Sequence, residues 1–301
     1  MLGRSHFSFV RLSLICNQSS TQLVVFTHFE QNSKCASKSI DASLDCSHLY
    51  DYRDVLMSQI YFDESVSDRI KQIAKREDWL PASQESSQGF LLTVQNSKLS
   101  LVDLSDLKMS SFTIDFLEPQ FLLRLEKAKH ETQLLKRAIG ISPSSEVVVW
   151  DATAGLGRDA IVLAQLGYKV IAVERSRLLF ELLDDGVNRL RTSKRFIECA
   201  SRLEVIFGDS KQLLTQLSVA EFPDVIYLDP MYPLVKKSAR PKKEMQFLRK
   251  ILGPDDNLNE LISISRTRAK KKVIVKNSPR TNLGLKPQYQ IESKSVKFDI
   301  F

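Results

Sequence analysis

The 301-residue sequence is poor in cysteine and histidine, with four of each, and both are unevenly placed. Cys16, Cys35 and Cys46, with His6, His28 and His48, precede Met57, which leaves Cys199 and His130 for everything after it. No CxxC or HxxxH spacing occurs, so the residues give no support for a zinc site and no metal is expected. Four dispersed cysteines also make a poor disulfide framework, which points to a reducing compartment and a cytoplasmic location. Long apolar runs are missing as well. None approaches the roughly 18–20 residues that span a bilayer, so no membrane association is expected. A secretory leader needs about 7–15 uninterrupted apolar residues, and Arg11 breaks the short apolar stretch near the start.

What is present suits a soluble globular protein. Hydrophobic residues make up 43% and charged residues 26%. The formal net charge of +7 favours a polyanionic partner.

Residues 1–56 are rich in Ser, Gln and Asn and show no sustained helical or strand period. They are expected to form a poorly structured extension, and the favoured reading is that Met57 is the true start and the residues before it an artefact of the assigned one. From Ser65 to Trp79, Val66, Ile70, Ile73 and Ala74 suit an amphipathic helix. Phe90–Val94, Leu99–Leu104 and Phe112–Phe116 read as short strands, followed by a helix over Glu118–Ile139 that Gly140 closes and Pro143 cannot continue. Residues 57–140 thus form a small α+β unit, and 141–301 a larger domain in which strand and helix alternate. Its strands, Val147–Trp150, Val170–Val173, Leu203–Phe207, Val225–Leu228 and Val273–Val275, are near-continuous β-branched runs, as expected when helices cover both faces. The fold class is α/β, a Rossmann-like, doubly wound, mostly parallel sheet. Tyr289–Ile291 and Val296–Ile300 close it as an antiparallel pair.

The first strand-to-helix turn reads Asp151-Ala-Thr-Ala-Gly155-Leu-Gly157-Arg158-Asp159-Ala160. Its glycines let the backbone turn tightly and approach a ligand, and the helix that follows directs free N–H groups toward it. The pattern fits a nicotinamide dinucleotide as well as S-adenosylmethionine. Glu174 ends the second strand, where a carboxylate can accept from two ribose hydroxyls. Asp209 follows the third strand and reads equally as an acceptor for an adenine amino group or as a helix N-cap.

Asp229-Pro230-Met231-Tyr232-Pro233, at the end of the fourth strand, separates the cofactors. Methyl transfer to an exocyclic amine requires the nitrogen lone pair, normally delocalised into the base, to be aimed at the methyl carbon. The Asp229 carboxylate and the following carbonyl can accept the amine hydrogens, Pro230 makes that carbonyl rigid, and Tyr232 can stack on the base. A dehydrogenase has no use for this cluster. Lys236, Lys237, Arg240, Lys242 and Lys243 follow at once, where the phosphates of a nucleic acid would pass; a solvated surface loop is the competing reading.

Taken together, Asp151–Ala160, Val173-Glu174-Arg175, Leu182–Gly186, Leu228–Pro233, Lys242–Met245, Gly253–Asp255, Val273–Lys276 and Phe298–Ile300 resemble the bacterial ribosomal RNA small-subunit methyltransferase J family. The resemblance runs from about Met57 to residue 301 and is dense from Asp151 onward. It implies S-adenosylmethionine-dependent methylation of N2 of one guanine in small-subunit (16S) ribosomal RNA, free or in the small subunit. It further implies cofactor contacts at Arg158, Asp159, Glu174, Arg175, Asp209, Ser210 and Asp229, added to Asp151, Gly155 and Gly157 of the turn. The sequence departs from the family pattern in one place: Arg124–Glu131 has no glycine where relatives carry a Gly-rich, Arg-containing stretch. Two other readings stand beside this one, methylation of another planar amine such as a DNA base or a glutamine side chain, and a basic RNA-binding module without catalysis. Intact Asp229, Pro230 and Tyr232 argue against the latter.

Overall fold

The computed structural model describes residues 10–17, 20–27, 59–106, 111–127, 129–144, 146–230 and 258–301, and the chain divides into two units, Met1–Arg53 and Asp54–Phe301. In the first, β1 (Val10–Asn17) and β2 (Ser20–Thr27) pair antiparallel, with Val10 opposite Thr27 and Asn17 opposite Ser20. Strand is thus present where the sequence shows no sustained period. Leu12, Leu14 and Cys16 do alternate with Arg11 and Ser13, but Ile15 spoils the pattern.

The second unit opens on a four-stranded sheet in the order β4-β3-β5-β6, made of β3 (Ile60–Phe62), β4 (Leu80–Pro81), β5 (Phe90–Gln95) and β6 (Lys98–Asp103). β5 and β6 form a hairpin whose two-residue turn, Asn96-Ser97, holds both residues at positive φ (50° and 61°). Such primed turns match the twist of the flanking strands. Helix α1 (Asp68–Arg76) starts where the Ser67 hydroxyl accepts the Ile70 N–H, and it buries Ile70, Ile73 and Ala74 as the spacing predicts. Residues 118–139, expected as one helix, form two, α2 (Pro119–Lys127) and α3 (Lys129–Ile139). Gly140 closes α3 at φ +62°, its N–H donating to the Lys136 carbonyl at 2.9 Å.

The larger sheet has seven strands in the order β12-β13-β11-β10-β7-β8-β9. They are β7 (Val148–Asp151), β8 (Lys169–Glu174), β9 (Leu203–Phe207), β10 (Val225–Leu228), β11 (Lys272–Asn277), β12 (Tyr289–Glu292) and β13 (Lys297–Ile300). β7 to β11 are mutually parallel, and β13 runs antiparallel between β11 and β12. This is the α/β, Rossmann-like sheet expected, with the closing antiparallel pair arranged so that the last strand is internal. The connecting helices described are α4 (Arg158–Leu166), α5 (Arg177–Arg191), α6 (Ile197–Ser201), α7 (Ser210–Gln216) and α8 (Leu258–Arg268). The expected helix near Lys243–Ile251 lies outside the described residues. Every residue of β10 is buried, because helices cover both faces of a central parallel strand. The chain order reverses between β7 and β10, the crevice where open α/β sheets bind ligands.

Phe112–Phe116 corrects the sequence reading. Phe112, Ile114 and Phe116 are buried and alternate with less buried neighbours, yet the segment joins the small sheet through a single bridge, Leu101 to Phe112. It lies against α5 instead. Arg189 donates to the Asp115 carboxylate (2.8 Å) and the Ile114 carbonyl (2.5 Å) and pairs with Asp185 (3.0 Å). A Cβ on Gly186 would stand 2.7 Å from that carbonyl, so glycine permits the close approach. Arg69 of α1 pairs with Glu181 of α5, and Lys98 with Asp115. The small sheet is therefore fastened to the larger one through α5.

Candidate active site

The turn from β7 into α4 is fixed by its own backbone. Ala152 N–H donates to the Tyr227 carbonyl (2.9 Å) and Ala154 N–H to the Val173 carbonyl (3.0 Å), which ties the turn to β10 and β8. Gly155 and Gly157 take φ of +53° and +68°, a region that costs a side chain about 1–2 kcal/mol. At Gly157 a Cβ would also stand 2.4 Å from Leu183 Cδ1 and 3.3 Å from Phe116. Arg158 begins α4 and lines a pocket with Leu156, Phe112, Phe116, Glu118 and Phe121.

Glu174, at the end of β8, is 5% exposed. Its two oxygens accept the N–H groups of Gly155 (2.9 Å) and Ser176 (2.7 Å). Burial raises its pKa to about 7, against the pull of these backbone donors. It therefore braces the glycine turn, and each carboxylate oxygen retains acceptor capacity beyond one N–H. Arg175 beside it is exposed. Asp209 caps α7, accepting the Lys211 N–H at 2.8 Å. Of its two sequence readings, the cap is the one the structure displays. Ser210 is buried and donates to the Ala152 carbonyl at 2.7 Å, joining the start of α7 to the glycine turn.

Three carboxylates converge at the crevice. Asp151 ends β7, is 2% exposed and accepts the Thr153 N–H at 3.2 Å. Burial, and then the charges of Asp159 and Asp229, hold its pKa well above the ordinary value. Asp159 lies in the first turn of α4, where its Oδ2 accepts from Tyr227 OH (2.5 Å) and Lys276 Nζ (2.6 Å). Burial works to raise its pKa, but the Lys276 ammonium outweighs it and the net shift is downward. Asp229 follows β10, its N–H donating to Thr153 Oγ1 (2.7 Å) and its Oδ2 accepting from Lys276 Nζ (2.8 Å). Burial raises its pKa to about 6, with Lys276 opposing and Asp159 adding to the rise. The structure thus brings Asp151, Gly155, Gly157, Arg158, Asp159, Glu174, Ser210 and Asp229 around the ends of β7, β8 and β10. Pro230 is buried next to Asp229. Tyr232, Lys236, Lys237, Arg240, Lys242 and Lys243 lie outside the described residues.

Lys276, Tyr227 and Thr153 were not assigned roles from the sequence. A signal existed at Lys276, a lysine ending the buried run Val273-Ile274-Val275, since a cation at the end of a buried strand needs an anionic partner. Tyr227 offered less, because a tyrosine in an apolar strand reads as core.

Comparison with known proteins agrees with this geometry. The sequence profile of the SAM-dependent methyltransferase family matches residues 75–301. Ribosomal RNA small subunit methyltransferase J of Alteromonas mediterranea is 38% identical over 221 residues, covering 73% of this chain and 84% of the relative. The chain belongs to the ribosomal RNA small subunit methyltransferase J family. The Thioalkalivibrio sulfidiphilus member is 34% identical over 250 residues, covering 82% of this chain and 98% of its own. Among solved structures, a SAM-dependent methyltransferase from Neisseria gonorrhoeae superposes with a TM-score of 0.61 at 28% identity, covering 81% of this chain and 95% of that one.

The cofactor of this family is S-adenosylmethionine, and the donor set suits it. The crevice gathers carboxylates at the ends of β7, β8 and β10, a donor set that fits a cationic ligand carrying hydroxyl groups. Among the described residues no helix is long and apolar enough to cross a membrane, and no group of three or more His, Cys, Asp or Glu is arranged to hold a metal ion.

Proposed function

We propose that this chain methylates the exocyclic N2 of one guanine in small-subunit (16S) ribosomal RNA, in the cytoplasm, on free RNA or on the small ribosomal subunit. The bound cofactor supplies the electrophilic methyl group. The observation that carries the reading is Asp229, anchored through its backbone to Thr153 and through its carboxylate to Lys276, at the mouth of the crevice beside the glycine turn. A fixed carboxylate there can accept an amine hydrogen and localise the nitrogen lone pair without reorganising during the reaction. Pro230 restricts the carbonyl that would accept the second hydrogen, and Tyr232 would stack on the flipped base.

Asp151, Gly155, Gly157, Arg158, Asp159, Glu174, Arg175, Asp209, Ser210 and Asp229 would hold the cofactor. Glu174 faces the ribose hydroxyls in this reading and Asp209 the adenine amine. Lys236, Lys237, Arg240, Lys242 and Lys243 would take the phosphates beside the target. The ribosomal RNA methyltransferases among its relatives support ribosomal RNA as the substrate class, and the amine-handling Asp-Pro-x-Tyr-Pro turn supports a base nitrogen over a ribose oxygen.

Free 16S RNA and assembled small subunits, each incubated with methyl-labelled S-adenosylmethionine, test the assignment. Label is expected on one guanine base as N2-methylguanine, and Asp229→Ala should lower the rate by about a hundredfold or more. Label on a ribose, on another base or on protein would reject the N2 assignment. Near-normal turnover of Asp229→Ala would remove its role as amine acceptor.

A further inference from the structure

Lys276 is a part-buried cation of the crevice that the proposed reaction leaves without a role. It ends the buried run of β11, and its ammonium donates to Asp159 at 2.6 Å and to Asp229 at 2.8 Å. These partners come from different elements, Asp159 from the first turn of α4 and Asp229 from the end of β10. Among the described residues, Asp151 from β7 and the Tyr227 hydroxyl from β10 are the other titratable groups around it.

Desolvating an ammonium is costly unless anions surround it. The converse matters more here. Two carboxylates that share a site cannot both ionise near neutral pH without a counter-charge between them. We propose that Lys276 is a positioning residue for methyl transfer, bridging Asp159 and Asp229 so that the Asp229 carboxylate stays ionised and turned toward the substrate amine. The proposal rests on Asp229 as the amine acceptor.

With the ammonium in place, Asp229 titrates near pH 6 and is ionised at neutral pH. Without it, the negative charge of Asp159 acts on Asp229 unopposed. One carboxyl of the pair then keeps a proton, and an Asp229 that carries it presents an O–H where an acceptor is needed. A lysine that merely anchors β11 to α4 would also lower stability on removal in a pH-dependent way, but it would leave the acid limb of the rate where it is.

The test uses the full chain as wild type, Lys276→Met, Lys276→Arg and Asp229→Ala. Single-turnover methyl transfer is followed from pH 5 to 9, and the cofactor-free proteins are melted over the same range. In Lys276→Met the acid limb of the rate is expected to move up by about one pH unit or more, with recovery toward wild type at the alkaline end. Lys276→Arg should keep the wild-type limb. Without cofactor, the melting difference between wild type and Lys276→Met should widen as pH rises, because the uncompensated carboxylates ionise only at a growing cost to the fold. A rate loss that is the same at every pH would overturn the proposal and leave Lys276 as an anchor. Should the methionine variant fail to fold, Lys276→Gln carries the same comparison. An active Asp229→Ala would sink the acceptor reading and this proposal together. An inactive one beside an unmoved limb in Lys276→Met sinks this proposal by itself.

Discussion

Glu174 shows how one carboxyl can couple cofactor, turn and fold. Its pKa of about 7, against an ordinary 4.5, means the folded protein holds a proton between those values that the unfolded chain lacks. Stability contributed through this group therefore falls as pH rises through that window and levels off above it, by ~3 kcal/mol in all. Asp151, also raised, acts in the same direction. Urea unfolding of the cofactor-free protein is expected to give a higher stability at pH 5 than at pH 8. A hydroxyl ligand is accepted best by the ionised form of Glu174, so cofactor affinity should move the opposite way, weakening as pH drops below about 7. Calorimetry across pH checks this. In the same assay Glu174→Ala should lose about 1–3 kcal/mol of binding, and an affinity that ignores both pH and the substitution would remove Glu174 from the cofactor site.

At the level of elements, the glycine turn is constrained from two sides, by φ and by the side chains that press on it. Gly157→Ala would combine a left-handed non-glycine residue with a methyl 2.4 Å from Leu183, a cost of about 2–4 kcal/mol from strain and overpacking together. A lowered melting temperature with the cofactor absent is the expected signature. Gly155→Ala meets nothing closer than 3.8 Å, so it should cost about 1–2 kcal/mol from φ alone.

These elements also mark what was legible in the sequence. β7 to β11 could be read because a strand buried on both faces has little choice but a continuous β-branched run, and the Asp151–Ala160 turn because its glycines have a backbone reason to be there. Phe112–Phe116 misled because alternate burial is a property of an extended chain on any apolar surface, here α5, and does not require a ladder. β3 and β4, three and two residues long, are too short for a period to emerge. The Lys276 bridge depends on three elements meeting in space, which no local pattern encodes.

For the molecule as a whole, two predictions concern regions beyond the described crevice. Phosphate contacts position a substrate without reading its sequence. Replacing three of Lys236, Lys237, Lys242 and Lys243 by alanine should therefore weaken RNA binding and flatten its salt dependence by roughly 0.7–0.9 log units per lost contact. The choice of guanine and the affinity for free cofactor should stay as they were. Coincident salt slopes for wild type and variant would make the segment a solvated loop. The other prediction concerns the residues before Met57. Those residues carry no motif and their composition offers no obvious packed core, so a chain beginning at Met57 should melt and methylate like the longer one, and a clear loss of either would give them a role.

The internal position of β13 has a consequence in time. β11 and β12 are synthesised before it, yet they become neighbours of a common strand only when Lys297–Ile300 inserts between them, Phe298 opposite both Lys276 and Ile291. Until then the β11 edge is open, and β11 carries the lysine of the carboxylate bridge. Val273 and Phe301 exchange hydrogen bonds, both at 2.9 Å, and the second of these residues is the last in the sequence. A chain stopped short of β13 would own every site residue described here, with β11 paired to β10 on one side and open on the other.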